Sequence, residues 1–291
     1  MLIDNLLLGN LSPLQSFNVM LHPMKISSAF RPKKAFKLTA AAAAEKPLSS
    51  GDKAEDKRTV ETITNEIATL QDIFYAGQSR KLLVVLQGMD TSGKDGTLKD
   101  VFGKIDPLGL RGYAFKAPTS TERARDFLWR VHQQIPAAGE MVVFNRSHYE
   151  DVLITHVHGL IDDAERKRRF AHIRDFERML AETGTIVLKF FLHISKDEQK
   201  LRLEERLTNP DKCWKFDPQD VVERKFWSRY QRAYATAIQE TDAAHAPWFI
   251  VPANSKTHRN LVIASILLET LQQMNLSYPP AKPELANMKI N

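Results

Sequence analysis

The sequence predicts an α/β fold, a parallel sheet with helices on both faces, and three observations lead there. Short apolar segments rich in β-branched and aromatic residues alternate with longer segments of helical period. Strands separated by helices of this length need crossover connections, which bring each strand back parallel to the last. The first apolar run, Leu82 to Leu86, feeds directly into a glycine-containing turn that opens a helix. With 291 residues, 43% of them hydrophobic, the chain can bury one sizeable core. One α/β domain with a tail is expected.

Residues 1–58 read as a basic, low-complexity arm with no core. Pro13, Pro23, Pro32 and Pro47 interrupt it, and Ala40 to Ala44 precede Ser49-Ser50-Gly51. No acid stands between Asp4 and Glu45, while Lys25, Arg31, Lys33, Lys34 and Lys37 cluster there. Such an arm either covers an anionic groove or is a solvated linker. Residues 1–23 are expected to be dispensable, as a start placed ahead of Met24 or a targeting extension. The domain proper is expected over residues 59–280, with a tail at 281–291.

From Val60, Ile63, Ile67, Leu70 and Phe74 recur at helical spacing until Gly77. Leu82 to Leu86 is the first strand, and Lys94 to Lys104 the helix after its turn. Tyr113 to Lys116 is expected as the second strand, followed by a Thr119-x-x-Glu122 capping box opening a helix through Phe127, Leu128 and Val131. Met141 to Phe144 is the third strand, with a charged helix over 163–182. Thr185 to Ile194 is the fourth strand, and a Ser195-x-x-Glu198 box opens the helix carrying Arg202 and Arg206. Trp248 to Val251 is the last strand and Arg259 to Met274 a closing amphipathic helix.

The net charge of +6 and the pI near 9.3 suit a polyanionic ligand without naming it. The single cysteine, Cys213, excludes an intrachain disulfide framework and any multi-cysteine metal site, and points to a reducing cytoplasm. No apolar run approaches the ~18 residues that span a bilayer, and the opening residues lack the basic start and compact apolar centre of a secretory signal. No membrane partner is expected.

Gly88-Met89-Asp90-Thr91-Ser92-Gly93-Lys94-Asp95-Gly96-Thr97 is a GxxxxGK phosphate-binding loop between strand and helix. Its glycines let backbone N–H groups turn toward phosphate oxygens, the helix adds its positive dipole end, and Lys94 supplies a mobile cation. Asp95 stands where such loops usually carry Ser or Thr, and Asp90 lies inside the loop. Two carboxylates beside a phosphate repel it unless cations intervene, which argues for Mg2+.

Phe144-Asn145-Arg146-Ser147-His148-Tyr149-Glu150-Asp151-Val152 ends the third strand. Ligands of parallel sheets bind outside the carboxyl ends of the strands, so this segment should face the phosphate loop. Arg146 can fork onto phosphate oxygens, and Glu150 and Asp151 can hold Mg2+ or orient an acceptor. The alternative is an Arg146–Glu150 pair that ties down a loop. His148 and Tyr149 read as packing residues, and His156, His158 and His172 fit no ligand spacing.

Arg202 and Arg206 share a helix face, and the loop after them interleaves lysines with Trp214 and Phe216 around Lys215. This stretch, about 195–220, reads as a lid that brings guanidinium groups to phosphoryl charge and excludes water. A solvated charged helix is the plainer reading of either arginine. Lys116 and Arg123 are placed to touch a phosphate chain, whereas Arg130 reads as surface. Arg166 to Arg169 reads as a wet basic face.

Together the phosphate loop, the Phe144 to Val152 segment, the Trp214-Lys215-Phe216 stretch and the ending from Ala246-Pro247-Trp248 to Pro252-Ala253 resemble the family 2 polyphosphate kinases, over about residues 30–280. That resemblance implies a thymidylate-kinase-like P-loop fold with a helical lid, and Mg2+-dependent, reversible phosphoryl transfer between inorganic polyphosphate and nucleoside mono- or diphosphates. The acceptors would be ADP and AMP, with guanine nucleotides also open, and the protein a homo-oligomer, dimer or tetramer. Relatives that make triphosphates from diphosphates commonly have Gly in place of Asp95 and Asp in place of Asn145, so this chain resembles the subclass accepting both AMP and ADP. Asn145 moves the expected carboxylate role to Asp90 and Asp151.

The expected catalytic groups are therefore Asp90, Lys94, Arg146 and Asp151. Gly88, Ser92, Gly93, Asp95, Gly96, Thr97, Lys116, Arg123, Arg202, Arg206 and Lys215 are expected to bind substrate, and Asp90, Glu150 and Asp151 to bind the metal. An ATP-dependent nucleotide kinase of the same fold is the first rival, against which Asp95 speaks. A non-catalytic polyanion binder is the second, and no specific nucleic-acid partner is expected, because the interleaved aromatics are confined to the lid stretch.

Overall fold

The computed structural model of the chain describes residues 25–283 and 288. The segment expected to be dispensable, 1–23, and most of the tail after 280 lie outside these residues.

Five parallel strands form the sheet: β1 (Lys81–Gln87), β2 (Leu110–Ala114), β3 (Met141–Asn145), β4 (Thr185–His193) and β5 (Trp248–Pro252), in the order β2-β3-β1-β4-β5. Leu82 to Leu86 of central β1 are fully buried. A strand covered on both faces has no polar side to show, which is why it reads as one unbroken apolar run. After β1 the chain moves out to β2, returns to β3, then crosses to β4 on the other side of β1. The carboxyl ends of β1 and β3 thus flank the point where the connections diverge, and there a crevice opens.

Among the described residues six longer helices surround the sheet: α1 (Lys53–Gly77), α2 (Lys94–Phe102), α3 (Asp163–Glu182), α4 (Lys196–Thr208), α5 (Trp227–Thr241) and α6 (Lys256–Gln273). α6 packs against β5 and under α1 and α2, whereas α3 packs on β4 and α5 on α3. Most of α6 is buried, including Leu261 to Leu268 without a break. The expected amphipathic closing helix is therefore an interior one, because α1 covers the face it would otherwise turn to water.

The fold departs from the sequence reading in four further places. β2 is Leu110–Ala114 rather than 113–116; it is a partly exposed edge strand, so no apolar run marks its start. The helix expected through Val131 breaks into two turns, Ser120–Arg123 and Trp129–His132, although the Thr119–Glu122 capping box forms as expected. Asp126 breaks it, since its carboxylate accepts from the Leu128 amide and offers the backbone a turn instead. α5 was not anticipated; its signal was the spacing of Tyr230, Ala233, Tyr234, Ala237 and Ile238, all buried.

The fourth concerns the arm. Phe30 and Ala43 are buried in the core, 5% and 1% exposed, so residues 25–58 do contribute to it. The Phe30 carbonyl accepts from the Ile250 amide at 2.8 Å and the Ala43 carbonyl from the Asn254 amide at 3.1 Å. The alanine run is a short helix capped by Thr39. An open edge at β5 would leave unpaired backbone groups, and this segment covers it. Arg31, one of its basic residues, pairs with Asp242 at 2.9 Å rather than with an anionic groove.

Candidate active site

The phosphate loop connects β1 to α2 and crosses the crevice. Gly88 has φ +156°, a backbone that residues with a side chain rarely adopt, and a Cβ there would lie 2.7 Å from the Leu192 carbonyl oxygen, so the loop passes too close to β4 for a side chain. Thr91 has φ +63°, a left-handed backbone that costs a non-glycine residue about 1 kcal/mol or more. Lys94 begins α2 behind Gly93, and its Nζ donates to the Gly88 carbonyl at 2.7 Å. The lysine is thereby folded across the mouth of its own loop.

Opposite stands the end of β3. Arg146 also has a left-handed backbone, φ +64°, and its amide donates to the Leu86 carbonyl at 3.0 Å. This turn throws its side chain over the loop, where Nη2 donates to Asp90 Oδ1 at 2.7 Å. Strained non-glycine backbone at two facing positions of one crevice marks a functional region. Asn145 Nδ2 donates to Asp95 Oδ1 at 2.6 Å, a second bridge between β3 and the loop.

The charges here are only partly matched. Burial and the Arg146 guanidinium push the Lys94 ammonium below its ordinary value, against Asp90, Glu150 and Asp95. Burial alone would lower Arg146 too, but Glu150 and Asp90 outweigh it and hold the guanidinium above its usual value. Burial raises the Glu150 carboxyl, with Arg146 and Lys94 opposing. The Arg146–Glu150 attraction of the plainer sequence reading is present, but as one part of a cluster with Lys94 and Asp90.

The stretch expected as a lid runs through α4 and the turns Pro210–Cys213 and Pro218–Glu223. Arg206, Trp214, Lys215, Asp217 and Asp220 from it line an open cleft of about 590 Å³, together with Asp90, Gly93, Lys94, Asp95, Gly96, Lys116 and Arg146. Arg206 Nη1 donates to Asp220 Oδ2 at 3.0 Å. Burial and Asp90 push the Asp220 carboxyl up to about 6, with Arg206 opposing. Asp220 was missed in the sequence, because a carboxylate in a mixed charged helix carries no local sign of what lies across the cleft.

Other expected residues lie elsewhere. Arg202 does not face the cleft: it is 5% exposed and donates to Glu198 and to the backbone carbonyls of Thr91, Ala253 and Asn254. Arg123 lies outside the cleft lining and donates to the Pro118 carbonyl. Ser92 and Thr97 are fully buried beneath the loop. Asp151 pairs with Arg130 at 3.2 Å rather than standing open beside Asp90, and burial raises its carboxyl against that pairing. Arg130, read as surface, is 7% exposed and also donates to the Lys116 carbonyl at 2.8 Å. Of the basic run after Glu165, Arg166 is buried and donates to the Ala233 carbonyl, and Arg169 holds the Asp151 carbonyl; only Lys167 and Arg168 are solvated.

A phosphate loop facing a strand-end arginine, under an overhang bearing further cations, is the layout of a phosphotransferase. The polyphosphate kinase 2 family matches residues 50–279. The chain belongs to that family. An AMP/ADP-polyphosphate phosphotransferase of Meiothermus ruber is 50% identical to it over 240 residues, 82% of this chain and 89% of the relative. An ADP-polyphosphate phosphotransferase of Rhodopseudomonas palustris is 38% identical over 234 residues, 76% of this chain and 81% of the relative. The crystal structure of polyphosphate kinase 2 from Arthrobacter aurescens TC1 superposes with a TM-score of 0.86 at 41% identity, covering 92% of this chain and 94% of that one. The P-loop kinase fold of the polyphosphate kinase 2 family is thus the fold of this chain.

Proposed function

We propose that this protein transfers phosphoryl groups between inorganic polyphosphate and adenosine mono- and diphosphates. The observation that carries the proposal is the Lys94–Asp90–Arg146 constellation across the crevice, in a chain half identical to a phosphotransferase acting on AMP and ADP. Two polyanions meet only where cations neutralise them. Lys94 and Arg146 are placed to clamp the transferring group, and Arg206, Lys215 and Lys116 to hold the flanking phosphates. Positioning and charge stabilisation suffice, and no covalent enzyme intermediate is needed. Phosphoanhydride bonds are broken and made on both sides, so concentrations decide the direction.

Mg2+ fits these residues. Asp90 and Asp220 both line the open cleft and bring negative charge together there. Among the described residues no three metal-binding side chains form one group. Mg2+ is commonly held by one or two carboxylates and completed by water and substrate phosphates. Asp90 is its first protein ligand in this proposal; Glu150 stands in the same charge cluster, whereas Asp151 is engaged by Arg130. Bound there, the ion would supply positive charge that offsets the phosphate charge of donor and acceptor.

Asp95 and Asn145 support acceptance of AMP as well as ADP, and guanine nucleotides remain acceptors to be assayed. No helix among the described residues is long and apolar enough to cross a membrane, and the proposed setting is the cytoplasm, as a homo-oligomer. The test supplies purified protein with Mg2+, polyphosphate and either ADP or AMP. ATP should form from ADP and ADP from AMP, and EDTA should abolish both. Failure with every polyphosphate length while the protein is folded, or transfer only when ATP is the donor, would overturn the proposal.

A further inference from the structure

A phosphate loop binds with its amides, so its carbonyls must turn the other way. Buried carbonyls facing away from the cleft then need donors. Three consecutive loop carbonyls find them in side chains far away in sequence. The Asp90 carbonyl accepts from Gln199 Nε2 at 3.1 Å, the Thr91 carbonyl from Arg202 Nη1 at 2.8 Å and the Ser92 carbonyl from Arg259 Nη1 at 3.4 Å. All three donors are buried, at 1%, 5% and 1% exposed. The middle carbonyl belongs to Thr91, the residue with left-handed backbone.

Each donor is itself fixed. Arg202 is pinned by Glu198 at 2.7 Å and by the carbonyls of Ala253 and Asn254. Arg259 donates through Nε and Nη2 to Asn260 Oδ1, and Asn260 donates to Asp100 on α2 at 2.8 Å. A Cβ at Gly93 would lie 1.8 Å from Arg259 Nη1, so the loop and this guanidinium occupy one continuous packed space. Gln199 Oε1 accepts from Arg224 Nη1 at 3.0 Å, just beyond the overhanging segment.

We propose that Gln199, Arg202 and Arg259 are positioning residues for phosphoryl transfer, a rear brace that holds three loop carbonyls away from the cleft and thereby fixes the turn that carries the loop amides, within which the Ser92 amide closes onto the Met89 carbonyl. Two of the three stand on α4, which carries Arg206 into the cleft one turn beyond Arg202. One rigid helix therefore sets both the loop conformation and the cation facing it. Loss of a brace residue should lower turnover by misaligning the loop, a cost that added substrate does not recover.

The test compares Gln199→Met, Arg259→Met and Arg259→Lys. Its kinetic readout rests on the phosphotransferase reading, while hydrogen exchange of the 89–96 amides does not. Gln199→Met should lower kcat about tenfold at saturating polyphosphate and ADP, and Arg259→Met more, with loop amide exchange faster and Tm within a few degrees of the parent. Arg259→Lys should recover only part of the loss, because an ammonium cannot reproduce the planar fork between Ser92 and Asn260. If Arg259→Met does not fold, Gln199→Met decides alone. Unchanged kcat per folded molecule, or unchanged exchange of the loop amides in Gln199→Met, overturns the brace. An inactive parent would refute the proposed function and leave the exchange measurement to judge the brace.

Discussion

Two polar clusters meet at residues 146–152, and they differ in how completely their charges are matched. Arg146 lines the cleft with Lys94, Asp90 and Asp220, Glu150 lies half-buried outside that lining, and several of these groups titrate away from their ordinary values. His148 and Tyr149 turn inward to a cluster of Glu177, Lys189, Thr241 and Trp248. There Lys189 spends all three protons, on Glu177, the Tyr149 hydroxyl and the Thr241 carbonyl. Burial alone would raise the Glu177 carboxyl, but Lys189 and His148 hold it below the usual carboxylate range.

The difference teaches what each cluster is for. In the inner one Tyr149, Glu177, Lys189 and Thr241 partner one another, which ties β4, α3 and α5 to the strand-end segment. The cleft cluster keeps strained backbone at Thr91 and Arg146 and charges with spare capacity. Unmatched charge in a cleft is free to bind a ligand, whereas a buried charge without a partner costs stability and gains nothing.

The sharpest way to break this comparison is to remove one cation from each cluster. Lys94→Ala and Arg146→Ala should each lower turnover about a hundredfold or more, since both meet developing phosphoryl charge, with little change in Tm. Steady-state kinetics beside thermal melts check it; near-parental turnover in either variant would place that residue in architecture. Lys189→Met should do the reverse. It leaves Glu177 buried and uncompensated, which costs about 3 kcal/mol or more of stability, while turnover per folded molecule stays within about threefold. A denaturant titration that gave parental stability would deny the inner cluster its structural role.

The smallest effect sharpens the account of the cleft itself. Asp220 binds its proton more tightly in the folded protein, near 6 against an ordinary 3.8. Its contribution to stability is therefore least favourable above about pH 6 and improves as pH falls through 6 toward 4. Asp220→Asn, which can still accept from Arg206, should raise the Tm of the ligand-free protein at pH 8 and lose that advantage by pH 4. An equal difference at both pH values would mean that Asp220 carries no such burden.

The sequence by itself determined the strand–loop–helix unit from Leu82 to Phe102, the pairing of that loop with the Phe144 to Val152 segment, and the placing of Asp90 and Asp95 together in one loop. The unit and its charges are local, an apolar run, a glycine turn and carboxylates within a few residues of one another, and the pairing follows from where parallel sheets bind their ligands. The tertiary structure alone decided what long side chains do. Arg202 and Arg206 look alike on one helix face, yet one is buried behind the loop and the other lines the cleft. Asp151 acquires Arg130 from the turn after β2, and Asp220 meets Asp90 across the cleft. Arg259 reaches the loop from the far end of the chain, and Phe30 enters a core that its proline-broken surroundings do not announce. An arginine or carboxylate reports its partner only through contacts between distant segments, because its long side chain can serve solvent, backbone or ligand equally well until packing removes two of the three.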